Sequence, residues 1–186
     1  MANLIILEGI ERSGKSSMIE MLDKKFGKSV KVSNKQPDNV PFEYLGLFYE
    51  GAHQFMNNYF KLLPNETFII DRFFLSEFVY SKKFDRQSWM TIDYVKDLCK
   101  HNTVNMIYLK NNYDDYIQRG PKNKIKLNRQ DYSEMLQYFD DSISYLKSII
   151  PNLNILIINT TELDLNQVYN ETSKWLKHQL QCENIK

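Results

Sequence analysis

Residues 9–16 read Gly-Ile-Glu-Arg-Ser-Gly-Lys-Ser, which sets Gly9, Gly14, Lys15 and Ser16 at the spacing G-x-x-x-x-G-K-[ST]. That pattern suits the binding of phosphate. The glycines let the backbone curl until the N–H groups from Ser13 through Ser17 point at one anion. Lys15 brings a charge within reach of the β/γ-phosphates, and the Ser16 hydroxyl is placed to ligate Mg²⁺. The expected ligands are therefore ATP and Mg²⁺. A glycine turn that merely matched the spacing would lack the flanking elements such a loop needs. Here the apolar run Leu4–Leu7 precedes it as a buried strand, and Met18, Ile19, Leu22 and Phe26 follow at helical spacing.

A second cluster, Asp71-Arg72, closes the run Thr67–Ile70. An isolated acid–base pair is most often a solvated loop end. At a strand terminus beside a phosphate loop it has another use, because Asp71 can hold Mg²⁺ through water and the Arg72 fork suits a phosphate. The elements that must position these groups alternate along the chain. Strands are expected at 4–7, 30–33, 67–70, 104–109 and 153–158, and helices at 15–26, 42–63, 73–80, 91–100, 114–119, 131–149 and 165–180. Alternation of this kind implies an α/β fold with a five-stranded parallel sheet and helices on both faces, in three layers. The ligands of such sheets lie beyond the carboxyl ends of the strands, where the phosphate loop, Lys35-Gln36-Pro37 and Asp71-Arg72 all fall. Between Gly120-Pro121 and Asn128, the lysines Lys122, Lys124 and Lys126 mark a lid near 120–128. Those lysines either touch donor phosphates or form a solvated charge run.

With 186 residues, 42% hydrophobic and 25% charged, the chain is expected to be one globular domain spanning 1–186. A net charge of +1 gives no long-range pull on a nucleic acid polymer or a membrane, so neither is an expected partner and any anion site must be local. Cys99 and Cys182 form no disulfide framework and lack metal-ligand spacing with the three histidines. With no signal segment and no long apolar run, a reducing cytoplasm is the expected location.

Four blocks resemble the thymidylate kinase family of P-loop nucleoside monophosphate kinases. Leu7–Ser17 is similar to that family's phosphate loop, including the acidic Glu11 and an arginine at Arg12. Asp71–Tyr80 is similar to its Asp-Arg-Tyr-x-x-Ser-x-x-Ala-Tyr block, Lys35-Gln36-Pro37 falls where the family has Arg-Glu-Pro, and Leu47-Phe48 lies in the helix that supplies a base-stacking phenylalanine. The resemblance implies transfer of a phosphoryl group from ATP to a deoxynucleoside monophosphate in a P-loop kinase fold. Arg12, Lys15 and Arg72 would be catalytic, and Glu11, Lys35, Phe48, Arg72, Ser76 and Tyr80 would hold the acceptor. Ser16 and Asp71 would hold the metal. Phe48 is equally readable as an ordinary core aromatic. Nucleotide substrates are the expected partners and a homodimer the expected assembly.

Two departures bear on the acceptor. Where the family carries an arginine and a glutamine facing thymine, this chain has Ala52 and Ser81, with His53 and Gln54 nearby as substitutes or as helix-surface residues. Loss of two hydrogen-bonding partners loosens base selection. A deoxynucleoside kinase is the nearest alternative, but it needs a carboxylate base after the second strand, where Gln36 cannot take a proton. A nucleotide-dependent regulatory ATPase would need no second anion site, and a polynucleotide kinase would need a basic track.

Overall fold

β1 (Asn3–Glu8) runs as a six-residue strand whose residues from Leu4 to Glu8 are all buried, which requires a layer on each side of the sheet. A computed structural model describes residues 1–26, 45–120 and 127–181, with the backbone alone at 45, 46, 48 and 181. After β1 come α1 (Lys15–Phe26), α2 (Leu45–Leu62), β2 (Thr67–Asp71), α3 (Phe74–Lys83) and α4 (Ile92–His101). They are followed by β3 (Thr103–Lys110), α5 (Tyr113–Gln118), α6 (Arg129–Ile149), β4 (Asn154–Asn159) and α7 (Leu165–Gln181).

The described strands form one parallel sheet in the order β2-β1-β3-β4. Four strands are thus described instead of the expected five, because 30–33 lies outside the described residues. Alternation along each strand divides the core. Leu4, Ile6, Phe68, Ile70, Met106 and Tyr108 face a layer that includes Phe74, Val79, Leu98 and Phe139 of α3, α4 and α6. Ile5, Leu7, Ile69, Ile107 and Leu109 face Met18, Ile19 and Leu22 of α1 and Val168 and Leu176 of α7. Register does the positioning: Leu7 lies opposite Asp71, and Glu8 opposite Tyr108, so the loops after β1, β2 and β3 leave the sheet side by side.

Helix starts follow their caps. Asn128 accepts from Asp131 N at 2.8 Å, which begins α6 two residues before the expected Asp131. Thr91 and Asn112 cap α4 and α5 in the same way. At the other end, α3 runs past the expected Tyr80 to Lys83, and the Phe84 N–H still finds the Tyr80 carbonyl at 3.0 Å. Ser81 is therefore helical. Among the described residues no helix is long and apolar enough to cross a membrane.

The core makes a direct prediction. Phe139 is fully buried and stacks on Tyr108 with ring centroids 5.0 Å apart. Phe139→Ala should cost about 3–5 kcal/mol of stability, against less than about 0.5 kcal/mol for Tyr145→Ala, exposed on the same helix. Urea unfolding of both variants at equal m-value measures the difference.

Candidate active site

The chain leaves β1 through a turn that excludes side chains. Gly9 has φ +141°, and a Cβ there would lie 2.3 Å from the Leu109 carbonyl oxygen of β3. Gly14, at φ +96°, meets nothing within 4 Å, so its requirement is purely conformational. Arg12 also takes a left-handed backbone, at φ 66°. The loop then opens into α1, whose first turn carries no acidic side chain and whose first intrahelical bond runs from the Met18 N–H to the Gly14 carbonyl at 3.0 Å, leaving the N–H groups before it without helical partners. Ser13 is the exception within the loop, because its N–H bonds the Ile10 carbonyl at 3.3 Å.

Lys15 is buried and folded back on its own loop. Its ammonium donates to the carbonyls of Gly9 at 2.9 Å and Ile10 at 2.7 Å, and to Ser13 Oγ at 3.3 Å. Burial, followed by the nearby Arg72, lowers its pKa to about 7, against smaller opposing effects of Asp71, Glu8 and Glu11.

Arg72 is the second element. It too sits at positive φ, 63°, and its N–H bonds the Leu7 carbonyl at 2.9 Å. The guanidinium turns back toward β1, donating to the Gly9 carbonyl at 2.8 Å and lying near Tyr80 Oη at 3.3 Å and Ser76 Oγ at 3.4 Å. Burial pushes the Tyr80 hydroxyl above its ordinary range, partly offset by Arg72.

Together Glu11, Arg12, Gly14, Lys15, Ser16, Ser17, Asp71, Arg72 and Arg119 enclose a cavity of about 490 Å³ at the carboxyl ends of β1 and β2. Asp71 Oδ1 is buried there with no hydrogen-bond partner. An orphaned carboxylate oxygen in the cavity that Ser16 also lines fits a divalent cation, with further ligands left to water and phosphate. Among the described residues no group of three or more His, Cys, Asp or Glu side chains is placed to hold a metal by itself.

Arg12 reaches the cavity under a second restraint. Its Nη1 donates to the Tyr116 carbonyl at 3.1 Å, and its guanidinium lies over the Tyr116 ring, 4.5 Å from the centroid. A Cβ on Gly120 would fall 1.9 Å from Arg12 Nη1, so Gly120 is where the arginine passes and not simply a turn former.

Sequence reasoning missed Arg119. It ends α5, donates to Thr160 Oγ1 at 3.2 Å and to the Thr160 carbonyl at 3.0 Å, and joins the 490 Å³ cavity to a neighbouring one of about 300 Å³. That second space is walled by Leu109, Leu163, Leu165 and Val168. An arginine directly before Gly-Pro was the available signal. His53 and Gln54, proposed as substitute base contacts, line a separate cavity of about 740 Å³ with Trp89 and Tyr94. His53 is buried and stacked on Tyr94, not on the helix surface, and Gln54 donates to Glu50. The Ser81 hydroxyl is spent on the Phe78 carbonyl at 3.0 Å. Lys35, Gln36, Pro37 and the lysines at 122, 124 and 126 lie outside the described residues, as does the Phe48 side chain.

No protein-family model matches the chain, and no curated protein matches it by sequence. Solved structures do. YorR protein from Bacillus subtilis, in complex with phosphorylated GDP, matches with a TM-score of 0.67 at 20% identity, over 94% of this chain and 96% of that one. Thymidylate kinase from Candida albicans matches at 0.58 and 18% identity, over 95% and 92%. Deoxyadenosine kinase from M. mycoides, with bound dCTP, matches at 0.57 and 18% identity, over 94% and 99%. The fold is that of the P-loop nucleotide kinases. In this fold Lys15, Arg72 and Asp71 surround one cavity, and the low pKa of Lys15 carries a test. A bound triphosphate favours the charged lysine, so its pKa rises on binding and a proton is taken up wherever the free lysine is neutral. With ATP as the ligand, affinity should therefore fall above about pH 7, by up to tenfold per unit between about pH 7.5 and 9. Calorimetry in buffers of different ionisation enthalpy reads both the affinity and the proton uptake.

Proposed function

We propose that this chain transfers the γ-phosphoryl group of ATP, with Mg²⁺, to a deoxynucleoside monophosphate, dTMP or a related pyrimidine nucleotide. The observation that carries the reading is the convergence of Lys15, Arg12, Arg72, Arg119 and Asp71 on one 490 Å³ cavity. Phosphoryl transfer between nucleotides asks a protein chiefly to hold two phosphates in line and to neutralise the charge that develops between them. The cations come from three separate elements, as a two-phosphate site requires.

On this reading the α1 N-terminus and Lys15 take the donor's phosphates, and Lys15 exchanges its loop carbonyls for phosphate oxygens. Arg119 lies between the phosphates and the apolar 300 Å³ space, a suitable seat for the donor's base against its guanidinium plane. Arg72 takes the acceptor phosphate beside Ser76 and Tyr80, Glu11 the acceptor sugar, and Arg12 the transferring group. Mg²⁺ held by Ser16 and Asp71 supplies charge neutralisation on the phosphate oxygens when bound. Arg12 serves the transfer without leaving its place, since Tyr116 and Gly120 already fix it at the cavity edge.

Base selection is expected to be loose, because Ala52 offers no hydrogen bond and the Ser81 hydroxyl is engaged within its own helix. A panel of dTMP, dUMP, dCMP, dGMP and unphosphorylated thymidine, scored for ADP release, tests the function. Activity on dTMP or dCMP with less than about hundredfold discrimination between them is the expected result. Robust activity on thymidine alone would reassign the chain as a nucleoside kinase, and ADP release without any acceptor would make it an ATPase.

Single variants separate the roles. Lys15→Ala and Arg12→Ala should each lower turnover by at least about a hundredfold in a folded protein. Arg72→Ala should weaken monophosphate binding as well as turnover while ATP affinity, measured without acceptor, stays nearly unchanged.

A further inference from the structure

Glu8, the last residue of β1, carries a side chain that the reaction just described does not use. It is completely buried in the core of the sheet. Its Oε1 accepts from the Phe73 N–H at 2.8 Å, and its Oε2 accepts from the Ser76 N–H at 3.2 Å and from the Ser76 hydroxyl. These partners are not neighbours in sequence; they lie 65 and 68 residues downstream. A buried carboxylate without such partners would be very costly, and with them it becomes a fixed anion against the start of α3.

The start of α3 needs this anion. Its N-cap is Phe73, whose side chain has no oxygen to offer and makes no cap, unlike Thr91, Asn112 and Asn128 at the starts of α4, α5 and α6. Just before it, Arg72 is held at φ 63°, a left-handed conformation that a non-glycine residue keeps only where its surroundings enforce it. Glu8 enforces it from the opposite strand by catching the N–H groups on the far side of the turn. The Ser76 hydroxyl then serves twice, donating to Glu8 and presenting its oxygen 3.4 Å from Arg72 Nη1.

We propose that Glu8 is a positioning residue: it clamps the 72–76 turn onto the end of the phosphate-loop strand and so aims the Arg72 guanidinium at the acceptor phosphate. The direction of the effect on substrate rests on the reading of Arg72 given above. Burial raises the Glu8 carboxyl above its ordinary value, and Ser76, Phe73 and Arg72 only partly offset it; the side chain is held by the three donors directed at its two oxygens.

Glu8→Gln keeps the shape and breaks the chemistry. An amide has one accepting oxygen, so its NH₂ group must face an N–H that the carboxylate had satisfied. Ser76→Ala is the milder variant, removing only the hydroxyl link between Glu8 and Arg72. Two readouts are used. In ¹⁵N-labelled protein without nucleotide, the Arg72 Nε–H signal, identified by its loss in Arg72→Ala, should shift or broaden in both variants while those of Arg12 and Arg119 stay in place. In calorimetry with dTMP and dCMP, Glu8→Gln should weaken acceptor binding by about ten- to a hundredfold, leave ATP binding within about twofold, and add less than about twofold in an Arg72→Ala background. An unmoved Arg72 signal overturns the proposal. So does an equal loss of acceptor affinity with and without Arg72. If Glu8→Gln fails to fold, Glu8→Asp, which keeps the charge but draws it back from the Phe73 and Ser76 N–H groups, decides by the same two criteria. If the unsubstituted protein binds neither monophosphate, the acceptor reading of Arg72 falls and the Arg72 signal still decides whether Glu8 positions it.

Discussion

The site depends on one close approach of backbone to backbone. Gly9 crosses the end of β3 so near the Leu109 carbonyl that no Cβ could fit, and its φ of +141° is open to glycine alone. That crossing decides where the loop leaves the sheet and hence where α1 begins. From there the α1 N–H groups, Lys15 and the hydroxyls of Ser16 and Ser17 reach one cavity. The parallel register of β1 and β2 completes the arrangement, because Leu7 opposite Asp71 delivers the next loop at the same height.

The cations that line the cavity satisfy their charges on backbone acceptors. Lys15 does so by bonding the carbonyls of Gly9 and Ile10, and Arg72 does so by bonding Gly9 as well. One short stretch of backbone thus holds two cations from different elements, which explains why Arg72 ranks next after burial in lowering the Lys15 pKa. On the proposed function, a polyphosphate would replace backbone carbonyls with charged oxygens, a stronger partner in the same desolvated space, and would need to redirect only one side chain.

The remaining arginines are held from the opposite side of the sheet. Arg12 rests on the Tyr116 ring and carbonyl, and Arg119 on Thr160 after β4. Tyr116 and Tyr132 belong to a packed tyrosine group, with centroids 4.9 Å apart, in which Tyr132 donates to the Asn111 carbonyl at 2.7 Å. Aromatic packing at the end of β3 therefore governs where Arg12 stands, and Thr160 after β4 governs where Arg119 stands.

Much of this was legible in the chain itself. The phosphate loop, the Asp71-Arg72 pair and the parallel α/β order follow from local spacing and from the alternation of strand and helix periods, which are properties of neighbouring residues. The start of α6 was less legible, because its cap Asn128 reads as the end of a loop and the helix is expected two residues later. Other features had no local signature. Glu8 reads as the polar end of an apolar run, yet its partners lie 65 and 68 residues downstream and only strand register brings them together. Gly120 reads as a turn residue, yet its missing Cβ is the space through which Arg12 passes, 108 residues away by their numbers. His53 and Gln54 read alike, as base contacts or as helix-surface residues, yet packing buries His53 against Tyr94 and leaves Gln54 exposed beside Glu50. Sequence determined which groups were available and the period of the elements that carry them. Tertiary packing alone decided which groups meet, because a side chain's direction depends on the register and rotation of its element against all the others.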